Sequence, residues 1–373
     1  MADSPTLIIL HGASGDGPAE RLVARTRAAC GAESVRRALS AGFDGVILAT
    51  DEPRAFDQLP AGVTIDPDAS GIAFSFQERV AGLIRTHAIR RPVVMGAGSL
   101  PLATEEDFRE VADILGPGKR IVVTNNFFSS DLTGWTPGAA IDGLRDVPRD
   151  NVLPRRLRDQ ARFTVAALPR STRTHFDIDT PADLAVLALH GDVPPAIART
   201  LTEAPLPLAP YRAVMRAVCN PKAEMVITGR VGSAAWPYLE SETACRVRLI
   251  SEERGLAAAG PGHRARSILG FLLEEVGVQG FFWRLSELGD VLVIDTRVIE
   301  AHLGIEPSRE DRFQSDLLNA EAIKNPFLRE FTAAAVACGK PVLLGGHSLV
   351  SGGLMALTDA AWRENDAIVA SFQ

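Results

Sequence analysis

The sequence predicts a two-domain α/β protein, and three observations predict it. In both halves, short apolar runs of strand length alternate with longer stretches whose apolar residues recur at helical spacing, the pattern of strands joined by crossover helices. Prolines at 194, 195, 205, 207, 210 and 221 crowd residues 191–222, a density that reads as a linker or extended wrap with short helical pieces such as Tyr211 to Ala217. A length of 373 residues also exceeds the size at which single cores usually stop growing. The expected division is therefore 1–190, a linker at 191–222, and a second domain at 223–373.

Composition narrows the function classes. A hydrophobic fraction of 46% and a charged fraction of 23% are ordinary for a soluble globular protein. A formal charge of -7 gives no support for nucleic acid or an anionic membrane as the main partner. Cys30, Cys219, Cys245 and Cys338 are scattered and form no CxxC pair, which argues against a zinc site or disulfide framework and fits a reducing cytoplasm. The N-terminus lacks a basic region followed by a long apolar run, and no stretch approaches the roughly 20 apolar residues of a membrane span.

In the first half, Leu7 to Leu10 is a buried-strand pattern ending in the glycine-rich turn His11-Gly12-Ala13-Ser14-Gly15-Asp16-Gly17. A helix over Glu20 to Leu39 follows, then a second strand at Gly45 to Thr50. Strand, glycine-rich loop, helix and strand open a parallel α/β sheet, and the N–H groups of such a loop suit phosphate binding, although the loop matches neither Walker A nor GxGxxG. A helix over Phe74 to Thr86 and strands at Pro92 to Gly96, Arg120 to Thr124 and Phe163 to Ala167 continue the alternation. Between them, Gly98-Ser99-Leu100-Pro101-Leu102-Ala103-Thr104 leads into a helix that Thr104 caps and an acidic first turn favours.

The half closes on Phe176-Asp177-Ile178-Asp179-Thr180-Pro181-Ala182-Asp183-Leu184. Thr180 is a good N-cap, Pro181 sits at the first helical position and Asp183 at the third. Alternating residues of an extended segment face the same side, so Asp177 and Asp179 could converge on one cation; equally, one could solvate a loop while the other favours the helix start.

These marks, in this order, resemble the MobA-like nucleotidyltransferase family, within the GT-A-type nucleotide-diphospho-sugar transferases. The likeness covers about the first 190 residues and rests on the glycine loop, the GSLPLATEEDF segment and, most specifically, FDIDTPADLAVL. It implies a Rossmann-like three-layer α/β/α domain that transfers a nucleotidyl group from an NTP to a small phosphate- or acid-bearing acceptor, with Mg2+ and release of pyrophosphate. It further implies that Gly12, Ala13, Ser14, Gly15 and Gly17 line the triphosphate with Arg21 nearby, that Asp179 and Asp177 are catalytic metal ligands, and that the Ser99 turn is the other metal position. Two departures matter. The family usually has Asp where Ser99 stands, and no Lys precedes Lys119. Magnesium prefers carboxylate and water ligands, so Asp51, Asp66 or Asp131 would have to substitute, or the domain binds nucleotide without efficient turnover.

The second half matches no family known to us. Strands are expected at Met225 to Thr228, Cys245 to Ile250, Asp290 to Arg297 and Pro341 to Leu344, with helices starting at Trp236 and covering Arg264 to Val276 and Phe281 to Leu288. Ligands of open parallel sheets bind at the carboxyl ends of strands. Those ends carry Arg230 and Ser233, Glu252 to Arg254, Asp295 and Arg297, and His347, Ser348 and Ser351. The two arginines could clamp a phosphate or carboxylate, and Asp295 or His347 could serve as base or metal ligand, unless these charges only stitch loops together. Ser348 does not fit the G-x-S-x-G nucleophile elbow. Ser308 to Leu317 reads as a solvated helix face capped by Ser308.

Overall fold

The computed structural model describes residues 4–13, 15–56, 59–68, 73–202, 204–256 and 265–371. The chain divides into two compact units. The first contains the strand that opens the chain and Ala24–Asp177; the second takes Gly15–Val23, Ile178–Val193 and the chain beyond Ala198.

The first unit is built on seven strands: β1 (Thr6–His11), β2 (Gly45–Thr50), β3 (Val63–Pro67), β4 (Pro92–Gly96), β5 (Ile121–Thr124), β6 (Leu132–Thr136) and β7 (Thr164–Ala167), in spatial order β3-β2-β1-β4-β6-β5-β7. Every neighbouring pair is parallel except β4 with β6 and β5 with β6. Alternation along the strands sends Leu7 and Ile9 to one face with Val46, Leu48, Val93 and Met95, where Ala28 and Val35 of the helix Pro18–Ser40 and Phe108 of the helix Glu105–Ile114 cover them. Ile8, Ile47 and Val94 point the other way, onto Phe76, Val80 and Ile84 of the helix Phe76–Thr86 and Leu153 and Leu157 of the helix Leu153–Ala161. A sheet buried on both faces reads as continuous apolar runs, which is why β1, β2 and β4 were legible. Two strands were not. β3 is a half-exposed edge, and β6 reads Leu-Thr-Gly-Trp-Thr, whose Gly134 exists because a Cβ there would come within 2.8 Å of Leu115.

The second unit carries a four-stranded parallel sheet, β8 (Glu224–Gly229), β9 (Arg246–Ser251), β10 (Val291–Asp295) and β11 (Val342–Gly345), in order β11-β10-β8-β9. Val226, Leu292, Ile294 and Leu344 pack with Leu273, Phe281, Phe282 and Phe331 on one face. The two expected helices at Arg264 to Val276 and Phe281 to Leu288 are one run, Ile268–Ser286, kinked where Gly277 takes φ 69°. The proline-dense stretch is not a plain linker: it forms the helices Pro195–Thr202 and Leu208–Val218, and Tyr211, Val214 and Met215 of the latter are buried. Proline is harmless in a first helical turn, where its missing N–H has no intrahelical acceptor.

Candidate functional site

In the first sheet the chain passes from β1 outward to β2 and β3, then crosses back to place β4 on the other side of β1. The loops after β1 and β4 therefore diverge and leave a crevice at their carboxyl ends, where open α/β sheets bind ligands. After β1, Gly12 and Ala13 are exposed, and a Cβ on Gly12 would meet nothing within 4 Å. The Ala13 N–H donates to Asp51 Oδ1 at 2.9 Å, which ties the loop to the end of β2. His11 is buried edge-on against Phe56, and that burial lowers its pKa although Glu52 lies 3.5 Å away, so the imidazole is neutral at pH 7.

After β4 the chain turns tightly. The Ser99 N–H donates to the Gly96 carbonyl at 3.1 Å and Leu100 adopts φ 51°. A left-handed leucine costs about 1–2 kcal/mol. In this conformation the Leu100 N–H donates to Asp177 Oδ1 at 3.2 Å, while Ser99 and Asp177 form an antiparallel bridge. The GSLP turn and the Asp177 segment, 78 positions apart from Ser99 to Asp177, thus meet at the crevice. Two residues that sequence reading missed hold them there. Arg173 donates to both oxygens of Asp107 at 3.0 and 3.2 Å, and Asp107 in turn accepts the Thr104 N–H of the helix start. Asn125 donates to the Thr174 carbonyl at 2.9 Å. Nothing local in the sequence marks either pairing.

The other residues expected around a nucleotide fall outside the described residues or in the second unit. Ser14 is outside the described residues. Gly15, Gly17 and Arg21 belong to the second unit. Gly15 takes φ 103°, the Gly17 N–H donates to Glu20 at 3.0 Å, and Arg21 donates to the Asp16 carbonyl. The N–H groups of Ala19 and Glu20, which open the helix Pro18–Ser40, donate to Glu310 at 3.2 and 3.1 Å. A carboxylate there matches the partial positive charge of the helix start, so those donors are already engaged. Asp179 also belongs to the second unit; its N–H donates to Asp183 at 2.9 Å and its charge is felt by Asp183 and His347. Asp177, read with Asp179 as facing one side, falls in the first unit and Asp179 in the second. Among the described residues no group of three His, Cys, Asp or Glu side chains could hold a metal. Of the substitutes considered, Asp66 is engaged by Arg79 and His87 at 2.8 and 3.0 Å, and Asp131 accepts from Asn125 at 2.9 Å.

In the second unit the corresponding crevice lies between β8 and β10, because β9 and β10 flank β8 on opposite sides. Arg230 donates through Nε and Nη2 to both oxygens of Asp295 at 2.6 and 3.0 Å. Burial alone would raise the Asp295 carboxyl, but the charge and bonds of Arg230 hold it below the ordinary carboxylate range. Asp295 also accepts the Arg297 N–H at 3.2 Å and caps the helix Thr296–Leu303, which is why the strand ends there rather than running on to Arg297. Gly229 permits this approach: at φ 114°, a Cβ would stand 2.4 Å from that of Asp295. Asp295 is thus neither an available base nor a metal ligand.

Arg297 is likewise spent. It donates to both oxygens of Asp316 at 2.6 Å, to Thr296 at 2.7 Å and to the Gly345 carbonyl at 3.3 Å. Asp316 is only 1% exposed, so the helix Arg309–Asp316 that contains it is not a solvated face. Charge pairing hides its buried side from a reading based on polarity. Ser348 donates to Asp183 Oδ2 at 2.8 Å, an oxygen that also accepts from the N–H groups of Asp179 and Thr180 at 2.9 and 2.7 Å. Ser348 is therefore a tie rather than a nucleophile.

Asp183 and Glu300 are 0% and 4% exposed, and each leaves one oxygen without a partner among the described residues. Burial pushes both up to about 7. A carboxyl whose folded pKa is raised penalises the fold when ionised, and the penalty lifts as pH falls through that value toward the unfolded pKa. Glu300→Gln is therefore expected to raise Tm over wild type by about 3 °C or more at pH 8 and to give no gain at pH 5, in paired thermal unfolding. An equal shift at both pH values would show Glu300 to be ionised throughout.

No protein-family model and no curated protein matches this chain. Solved structures match part of it at low identity. A cytidylyltransferase from Leptospira borgpetersenii is 16% identical, with a TM-score of 0.38 over 50% of this chain and 85% of that one. A nucleotidyl transferase from Methanothermobacter is 14% identical, with a TM-score of 0.35 over 46% of this chain and 91% of that one. CMP:2-keto-3-deoxy-manno-octonic acid synthetase, solved with CTP, is 14% identical, with a TM-score of 0.31 over 48% of this chain and 95% of that one.

Proposed function

We propose that the first unit binds a nucleoside triphosphate at the β1/β4 crevice and that the protein transfers a nucleotidyl group to a small phosphate- or acid-bearing acceptor, in the manner of MobA-like enzymes. The observation that carries this reading is the meeting of Ser99, Leu100 and Asp177 at that crevice, beside the exposed Gly12 and Ala13. The exposed loop admits phosphate oxygens close to the backbone. Asp177 supplies a carboxylate beside them.

The donor set suits magnesium in one way only. Magnesium is commonly held by one or two carboxylates together with substrate phosphates and water. Asp177 fits that role, whereas an ion held by the protein alone would need donors that the described residues do not group. When bound, the ion would offset charge on the phosphates; Asp177 would anchor it and the Gly12–Ala13 backbone would orient the nucleotide. Among the described residues no helix is long and apolar enough to cross a membrane; the four free cysteines fit a reducing setting for this chemistry.

A second reading, nucleotide binding without efficient transfer, is favoured by Ser99 standing where the resemblance expects a carboxylate. Thermal shift with ATP, CTP, GTP and UTP, each with and without magnesium, tests the binding that both readings share. A magnesium-dependent rise in Tm with at least one nucleotide is expected, because a ligand that binds only the folded state stabilises it. No rise with any of the four contradicts both readings. Binding without pyrophosphate release in the presence of candidate acceptors selects the second.

A further inference from the structure

The seven-stranded sheet of the first unit ends at β7, which pairs with β5 alone. The Thr164 and Leu168 N–H groups donate inward, to the Arg120 and Thr124 carbonyls at 3.1 and 2.9 Å. Alternate residues of a parallel ladder turn their polar groups to opposite sides, so the N–H and C=O groups of Val165 and Ala167 point away from β5. Among the described residues nothing bonds to that outward row, and Ala167 is exposed. Beside it lies an open cleft of about 280 Å³, lined by Phe127, Arg158, Phe163 and Val165. Its rings carry cations: Arg158 sits 4.5 Å over the Phe127 ring and Arg120 4.7 Å over that of Phe163. Phe128, 72% exposed, stands edge-on to Phe127. The surroundings are basic. Lys119 and Arg120 precede β5, Arg162 and Arg170 bracket β7, and neither 119–126 nor 162–170 contains an Asp or Glu, in a chain of net charge -7. Arg158 does meet Asp159 at 2.6 Å, but both side chains are about half exposed, so solvent screens that pair.

We propose that β7 is a docking edge for an extended acidic peptide segment of another protein, which adds a strand to the sheet and sets an apolar side chain into the cleft. The outward row alternates donors and acceptors. A peptide backbone matches both, whereas a phosphate polymer brings acceptors to the backbone and leaves the Val165 and Ala167 carbonyls unanswered. Every second side chain of the added strand falls on the cleft side, where Phe127, Phe163 and Val165 favour an apolar group. The cations at both ends of β7 select carboxylates for the remaining positions. The same cations exclude a second copy of this chain, because two β7 edges paired about a two-fold axis would set like charges against each other. The proposal does not rest on the nucleotide reading: within the first unit, β6 and β5 stand between β4 and this edge.

The test titrates the full chain into a fluorescein-labelled octapeptide of alternating glutamate and valine, read by fluorescence anisotropy. Wild type is expected to bind it with a Kd below about 1 mM. A lysine–valine octapeptide and a thymidine octanucleotide, probes of opposite charge and of a different backbone, should bind at least about tenfold more weakly. Ala167→Pro removes one outward N–H and no ladder bond, and proline is tolerated where a strand's N–H faces solvent. It should keep Tm within a few degrees of wild type and weaken the acidic peptide by about tenfold. Arg158→Glu, a charge reversal at the cleft wall, should weaken it by about tenfold or more. The proposal is overturned if wild type gives no anisotropy rise, if the lysine–valine peptide or the octanucleotide binds equally, or if Ala167→Pro or Arg158→Glu binds the acidic peptide as wild type does. A wild-type dimer in sedimentation that Ala167→Pro converts to monomer would overturn it too, by giving the edge to a second copy.

Discussion

Asp177→Asn is expected to lower pyrophosphate release by at least about a hundredfold while leaving the fold intact. Asparagine keeps an oxygen in the place where Asp177 Oδ1 accepts the Leu100 N–H at 3.2 Å, so the bridge to Ser99 and the left-handed turn should persist. What disappears is the negative charge beside the nucleotide phosphates. Electrostatic groups aimed at a reacting centre are typically worth a hundredfold to a thousandfold in rate. Two measurements separate this from simple unfolding: Tm within a few degrees of wild type, and loss of the magnesium-dependent part of nucleotide binding. A variant that releases pyrophosphate at the wild-type rate would remove Asp177 from the mechanism.

Arg297→Ala is expected to destabilise the second unit by about 3–5 kcal/mol, read as a fall in the urea midpoint. The guanidinium side chain is only 14% exposed, and its loss would leave the buried Asp316 without its countercharge while removing the donors to Thr296 and Gly345. Burial already pushes Asp316 up to about 6 against the pull of Arg297, so without Arg297 it would fold protonated. Arg297→Lys should recover only part of the loss, because an ammonium cannot reproduce the two-pronged contact with both Asp316 oxygens. A midpoint unchanged in Arg297→Ala would show the pair to be incidental.

The sequence discloses strands and helix starts well where one local rule decides them. Thr180, Pro181 and Asp183 occupy the positions their chemistry favours, and the helix Pro181–Leu189 begins as capping requires. The apolar runs at Val46, Val93 and Leu343 are strands because both of their faces are covered. Local rules fail where partners come from afar. Arg297 looks like a free anion clamp until Asp316, 19 positions on, claims it. Glu310 looks solvated until it meets the helix start at Ala19, 291 positions away. The candidate site divides in the same manner. The motifs containing Ser99 and Asp177 were visible and the resemblance put them at one site, but the Leu100 N–H contact that joins them and the supports from Arg173 and Asn125 were not. The Asp179 N–H is held by Asp183, a pairing that spacing did not disclose.

Hydrogen exchange of the full-length protein, with and without the nucleotide that gives the largest magnesium-dependent thermal shift, tests the central claim most directly. Nucleotide at the β1/β4 crevice is expected to slow exchange in peptides covering 11–13 and 97–101, with little change in the β8 loop at 229–234. Slowed exchange confined to the second unit, with the β1 and β4 loops unaffected, would contradict it.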